Sequence, residues 1–180
     1  ETHPPEAVVA MLNRFFRIVV AVVNREGGWV NKFEGDAALC LFGAPQDEPD
    51  HAARALRAAT SIPKELDRSD AQLRAGIGVA SGEVLAGFIG TPERVEYTVM
   101  GDVVNVASRL CDLAKDEQAG VLATAATFDA AGRPDEWSSA GRIGVRGRRE
   151  KAEIYRLDPG TGSWRAKMTP RSTRASRNAP

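Results

Sequence analysis

The sequence predicts an α+β fold, a mainly antiparallel sheet with helices packed on one face. Three stretches carry apolar residues at helical spacing, and two pairs of short apolar runs sit around tight glycine-containing turns. At 180 residues the chain holds one compact domain with a proper core and is short for two.

In chain order, residues 4–26 form the first helix. Prolines suit its first turn, Gly27-Gly28 ends it, and Val8, Leu12, Phe15, Val19, Val22 and Val23 make its buried face. Runs at 29–34 and 37–43 form a hairpin. A second helix runs from Asp50 to about Leu66, with Ala53, Leu56, Ala58 and Ala59 inward. Residues 74–90 read as two further strands around a Ser-Gly turn. Residues 101–117 form a third helix. GVLAT, GRIGVRG and AEIYRLD supply three more strands, with a loop-rich segment at 134–139. The domain is expected over residues 1–158. Residues 159–180 are basic, rich in Ser, Thr and Pro and without apolar period: a disordered tail, or a docking segment through its charge.

Composition excludes several classes. Lys and Arg number 24 and Asp and Glu number 24, so no overall field draws the domain to nucleic acid or an acidic membrane. No run approaches the ~20 apolar residues of a membrane span, so membrane attachment would come only from segments outside this chain, and the expected location is cytoplasmic. Cys40 and Cys111, in apolar contexts, read as buried free thiols of a reducing compartment. His3 and His51 have no partner at metal-ligand or triad spacing, and no Walker, Rossmann or nucleophile-elbow pattern occurs.

Three polar clusters remain. VNKFEGDAALCLFG, residues 30–43, places Lys32, Glu34 and Asp36 at the hairpin's mouth. Either this is a solvated turn with a surface ion pair, or Asp36 holds a divalent cation, since Mg²⁺ takes one or two carboxylates plus phosphate oxygens. On the third helix Asn105 and Arg109 stand four apart and share a face. They are either a solvated stripe or an amide and guanidinium that orient a sugar and hold a phosphate. Arg146, Arg148 and Arg149 flank Gly147, as a solvated strand end or a grip on polyphosphate.

Taken in order and spacing, VNKFEGDAALCLFG, GIGVASGEVLAGFIG and YTVMGDVVNVASRLCDLAK resemble the class III nucleotidyl cyclase catalytic domain, from about Glu1 to Leu157. The resemblance implies a ferredoxin-like sheet and head-to-tail homodimers with nucleotide sites at the interface. It implies that Asp36 is one of two metal-binding aspartates, serving two Mg²⁺ or Mn²⁺ ions per site. Lys32 matches the residue that recognises adenine and Thr98 its partner, as in the threonine-containing subgroup. Asn105 and Arg109 match the pair that steadies ribose and transition-state phosphate, and Arg148 the basic residue on the triphosphate. Each hairpin would then give its Asp to one site of the dimer and its Lys to the other.

The implied activity is an adenylate cyclase that turns ATP into cyclic AMP and pyrophosphate. Lysine only donates and a threonine hydroxyl accepts, which matches the acceptor and amine of the adenine edge. The departure is the family's first metal aspartate, on a strand in a pattern like F-x-D-I-x-G-F before the first long helix. No such pattern occurs in the 180 residues. The expectation is that this strand lies upstream of Glu1. The alternative is a degenerate cyclase-fold module for dimerisation or nucleotide sensing.

Overall fold

A computed structural model of the chain describes residues 4–69, 73–116, 120–144 and 151–158. Pro5 opens α1 (Pro5–Arg25), where its missing N–H and fixed φ cost nothing. Val19, Val22 and Val23 are buried, as the spacing predicts, whereas Val8 and Val9 near the start are 40% and 55% exposed. The expected apolar face thus holds only over the C-terminal half of α1, where the helix packs on α2 (His51–Arg68) and on the first hairpin.

That hairpin pairs β1 (Trp29–Glu34) with β2 (Ala37–Leu41) antiparallel, one extra residue bulging β1 between Val30 and Lys32. Gly35, at φ +61°, makes the turn that presents Asp36, a conformation glycine adopts without a Cβ penalty. Val30, Ala38 and Cys40 pack with the valines of α1 and with Ala58, Ile62 and Leu66 of α2.

The second hairpin differs from expectation. β3 (Ile77–Val79) and β4 (Leu85–Thr91) do not pair with each other; β4 pairs instead with β5 (Arg94–Met100). The Ser81-Gly82 turn is a crossing between sheets, and Thr91 to Arg94 makes the hairpin turn. β3 runs parallel to β6 (Val121–Thr124), which is flanked by β8 (Lys151–Leu157), and β7 (Trp137–Gly144) closes that sheet. A short helix, α4 (Ala125–Ala130), capped by the Thr124 hydroxyl, was unforeseen, and β7 begins inside the segment expected as loop.

The α+β class is as expected, with the strands in three sheets: β1-β2, β3-β6-β8-β7 and β4-β5. Both β2 and β3 keep one edge unpaired among the described residues, although Ala38, Cys40 and Ile77 share one apolar cluster.

Helix α3 (Asp102–Asp116) lies against β3 and β6, burying Val106, Leu110 and Ala114 with Leu122 and Ile154. Its approach to β3 requires Gly78: a Cβ there would fall on the Ala107 carbonyl oxygen and the Cys111 amide nitrogen. The Arg146–Arg149 run and the expected tail lie outside the described residues.

Candidate active site

The bulge in β1 decides which way its polar residues point. Val30 packs in the α1 cluster, and the Phe33 ring lies 4.2 Å from that of Phe16 on α1. The residues between them therefore turn to the other side, where β5 runs. The Trp29 ring sits 5.6 Å from Tyr97, and Asn31 Nδ2 donates to the Tyr97 carbonyl oxygen at 2.8 Å. Lys32, directly after the bulged residue, faces the same way, because an extra residue lets two successive side chains share a side.

Lys32 pairs with Glu34, Nζ to Oε1 at 2.6 Å, and not with Asp36. The hydrogen bond and charge of Glu34 hold the ammonium's pKa above its ordinary value; burial opposes and Glu96 on β5 adds to the rise. The Asn31 hydrogen bond to the Tyr97 carbonyl holds β5 against β1 right beside Lys32. Thr98, half-buried and two residues on from Glu96, is paired in the ladder with Gly87. Lys32 and Thr98 therefore stand at one junction, where β1 meets β5.

Asn105 and Arg109 are both exposed on α3, as their i, i+4 spacing predicts, while Val106, Leu110 and Ala114 make its buried side. Their side chains, and that of Asp36, make no hydrogen bond or ion pair among the described residues. Asp36 nevertheless lies close enough to α3 for its charge to help raise the Cys111 thiol pKa, a shift led by burial. Arg148 falls outside the described residues.

For a divalent ion the donor set is slim. Among the described residues no three acidic, histidine or cysteine side chains gather as ligands. One exposed carboxylate in a rigid turn suits Mg²⁺ or Mn²⁺ only where substrate phosphates complete the shell. Asp36 fits that role.

The sequence reading missed Asn31, and missed that Glu34 is the partner of Lys32. Asn31 interrupts the apolar run WVNKF, and an amide in such a run is a signal of its own. Glu34 stands two after Lys32, so strand periodicity already puts both on one side.

The sequence profile of the adenylate and guanylate cyclase catalytic domain matches residues 1–159. An uncharacterized protein of Mycobacterium tuberculosis is 48% identical over 148 residues, covering 81% of this chain and 27% of that protein. A bacterial light-regulated adenylyl cyclase superposes with a TM-score of 0.75 at 27% identity, covering 86% of this chain and 46% of the other. A guanylyl cyclase superposes at 0.74 with 28% identity, covering 87% and 82%. The fold is that of a class III nucleotidyl cyclase catalytic domain. The chain belongs to the adenylate and guanylate cyclase catalytic domain family. It spans under a third of the mycobacterial relative's length.

Proposed function

We propose that the domain is an adenylate cyclase, converting ATP to 3′,5′-cyclic AMP and pyrophosphate at sites shared by two copies of the chain. The observation that carries this reading is the hydrogen bond between β1 and β5, from Asn31, next to Lys32, to the carbonyl of Tyr97, next to Thr98. The ammonium donates to a ring nitrogen of adenine, and the Thr98 hydroxyl accepts from the exocyclic amine. Asn105 steadies the ribose. The 3′-oxygen attacks the α-phosphorus, the bond to the bridging oxygen breaks, and pyrophosphate leaves. Arg109 meets the negative charge that develops on the transferring phosphoryl group, and Arg148 would hold the triphosphate. A Mg²⁺ or Mn²⁺ ion held by Asp36 would supply charge neutralisation and lower the pKa of the attacking hydroxyl. A second metal-binding carboxylate has no counterpart beside Asp36 among the described residues, and the edges of β2 and β3 that stay unpaired there, beside one apolar cluster, leave room for a further strand. The proposal carries a cytoplasmic location with it.

The homodimer draws support from the β4-β5 ribbon. Leu85, Phe88 and Val95 are 69%, 77% and 55% exposed, apolar surface that an isolated ribbon does not keep in water without a partner.

A guanylate cyclase is the second reading, and Glu34 favours it. A carboxylate 2.6 Å from Lys32 can accept from the N1 and N2 hydrogens of guanine while the lysine donates to O6. The test is cyclic nucleotide production by the full-length protein with Mn²⁺ and either ATP or GTP, for wild type and Glu34→Gln. Cyclic AMP as the main product of both supports the proposal. Cyclic GMP as the main product, lost in Glu34→Gln, would establish the second reading. Silence from a folded dimer would leave the sensing or scaffold module.

A further inference from the structure

The two hairpins that carry the base-facing residues are separate sheets, with no backbone hydrogen bond between them among the described residues. One hydrogen bond there joins them, from Asn31 Nδ2 to the Tyr97 carbonyl oxygen. Its donor precedes Lys32 in sequence and its acceptor precedes Thr98. We propose that Asn31 is a positioning residue for base recognition, whose amide fixes β5 against β1 so that Lys32 and Thr98 meet the same base edge. The inference rests on the adenylate cyclase reading and deepens it.

The bulge and the amide make sense together. Asn31 is the residue that the ladder skips: Val30 pairs with Cys40 and Lys32 with Leu39. A regular strand would send Lys32 back toward α1, on the side where Val30 packs. The extra residue lets Asn31 hold the neighbouring strand and Lys32 point across it. Stability alone does not select this residue. Asn31 Oδ1 is buried and has no hydrogen-bond partner among the described residues, a cost that an apolar side chain of similar size would avoid. What only the amide gives is a directed bond to one carbonyl. Trp29 on Tyr97 adds contact across the same junction, but ring packing tolerates sliding where a hydrogen bond does not. A base edge is rigid and the threonine side chain is short. A shift of about 1 Å between the strands therefore leaves one of the two contacts unmade.

The experiment measures binding of 3′-deoxy-ATP and 3′-deoxy-GTP, which lack the attacking hydroxyl, to the full-length protein with Mn²⁺. Wild type, Asn31→Ala, Thr98→Ala and the double variant are compared, with thermal midpoints alongside. The expected result is a wild-type preference for the adenine analogue that falls roughly tenfold in each single variant, about the worth of one hydrogen bond, and no further in the double. Asn31→Asp, which keeps the shape and loses the donor, is expected to behave like Asn31→Ala and serves if the alanine variant does not fold. A preference unchanged by Asn31→Ala and Asn31→Asp while Thr98→Ala lowers it would overturn the positioning role and leave the adenine site standing, as would full additivity in the double. A wild type without adenine preference, or one indifferent to Thr98→Ala, would overturn the adenine site and this inference with it.

Discussion

Cys40 faces inward from β2 among the valines of α1, and burial pushes its thiol pKa from 9.0 to about 11. Unfolding exposes the thiol, which then ionises near its ordinary value. Between the two values the unfolded chain binds fewer protons than the folded one, so the stability due to the neutral thiol is whole below pH 9 and declines as pH rises toward 11. Chemical denaturation at pH 8 and pH 10 should show this loss, and Cys40→Ala should remove that part of the slope; an unchanged slope would mean the thiol is not the group responsible. Lys32 differs because it is exposed. Its partner Glu34 shifts its pKa upward, so it remains charged throughout the range in which a nucleotide would bind. At this scale much was legible in advance. Asn105 and Arg109 are on the exposed face that i, i+4 spacing assigns them, and Asp36 is at the turn that Gly35 dictates. The partner of Lys32 was not, because an ammonium on a flexible stem pairs with whichever carboxylate the local twist brings nearest.

At the scale of elements, the contact between α3 and β3 is the most demanding. Gly78 lets the helix backbone rest directly on the strand, and Leu110, wholly buried, fills the space beside it. Gly78→Ala would drive a methyl into the Ala107 carbonyl and the Cys111 amide, groups of helix backbone that cannot rotate away. Overpacking of this kind typically costs about 1–3 kcal/mol. Urea unfolding should show that loss, with cyclase activity falling alongside because Asn105 and Arg109 ride on the displaced helix. Equal stability of the two proteins would mean that α3 stands off β3. The first hairpin and the three long helices were legible because each carries one clear period. The second hairpin was not: RAGIGVASG and GEVLAGFIG look like partners in sequence, yet β4 takes β5. The strand Arg94–Met100 does alternate polar and apolar residues from Arg94 to Val99, so its own pattern marks it as a strand. What the pattern does not carry is the choice of partner: two neighbouring apolar runs look equally able to pair, and only the ladder between β4 and β5 decides.

For the whole molecule the consequential question is how many chains build one site. Under the proposed dimer, Asp36 of one copy serves the same nucleotide as Lys32 and Arg109 of the other. Asp36→Ala and Arg109→Ala should each lose about 10²–10³ in rate, the usual cost of a preorganised charge at a developing anion. Mixed and allowed to exchange subunits, the two should recover activity well above either parent, since one site of the heterodimer is intact. A mixture as poor as its parents, with heterodimers confirmed by mass, would exclude a shared site. The exposed ribbon offers a second check: Phe88→Asp should weaken dimers in sedimentation and lower activity in proportion.

The sequence by itself determined the α+β class, the three long helices, the first hairpin and the family, because these rest on local periods, turn glycines and motifs that survive in one dimension. Only the tertiary structure decided that β4 pairs with β5, that the strands fall into three sheets, and that Asn31 ties two of them at the level of Lys32 and Thr98. Each of these is a contact between residues far apart in the chain; Asn31 and Tyr97 stand 66 positions from one another. Such contacts are selected by the geometry of packed neighbours, and no local pattern encodes that geometry.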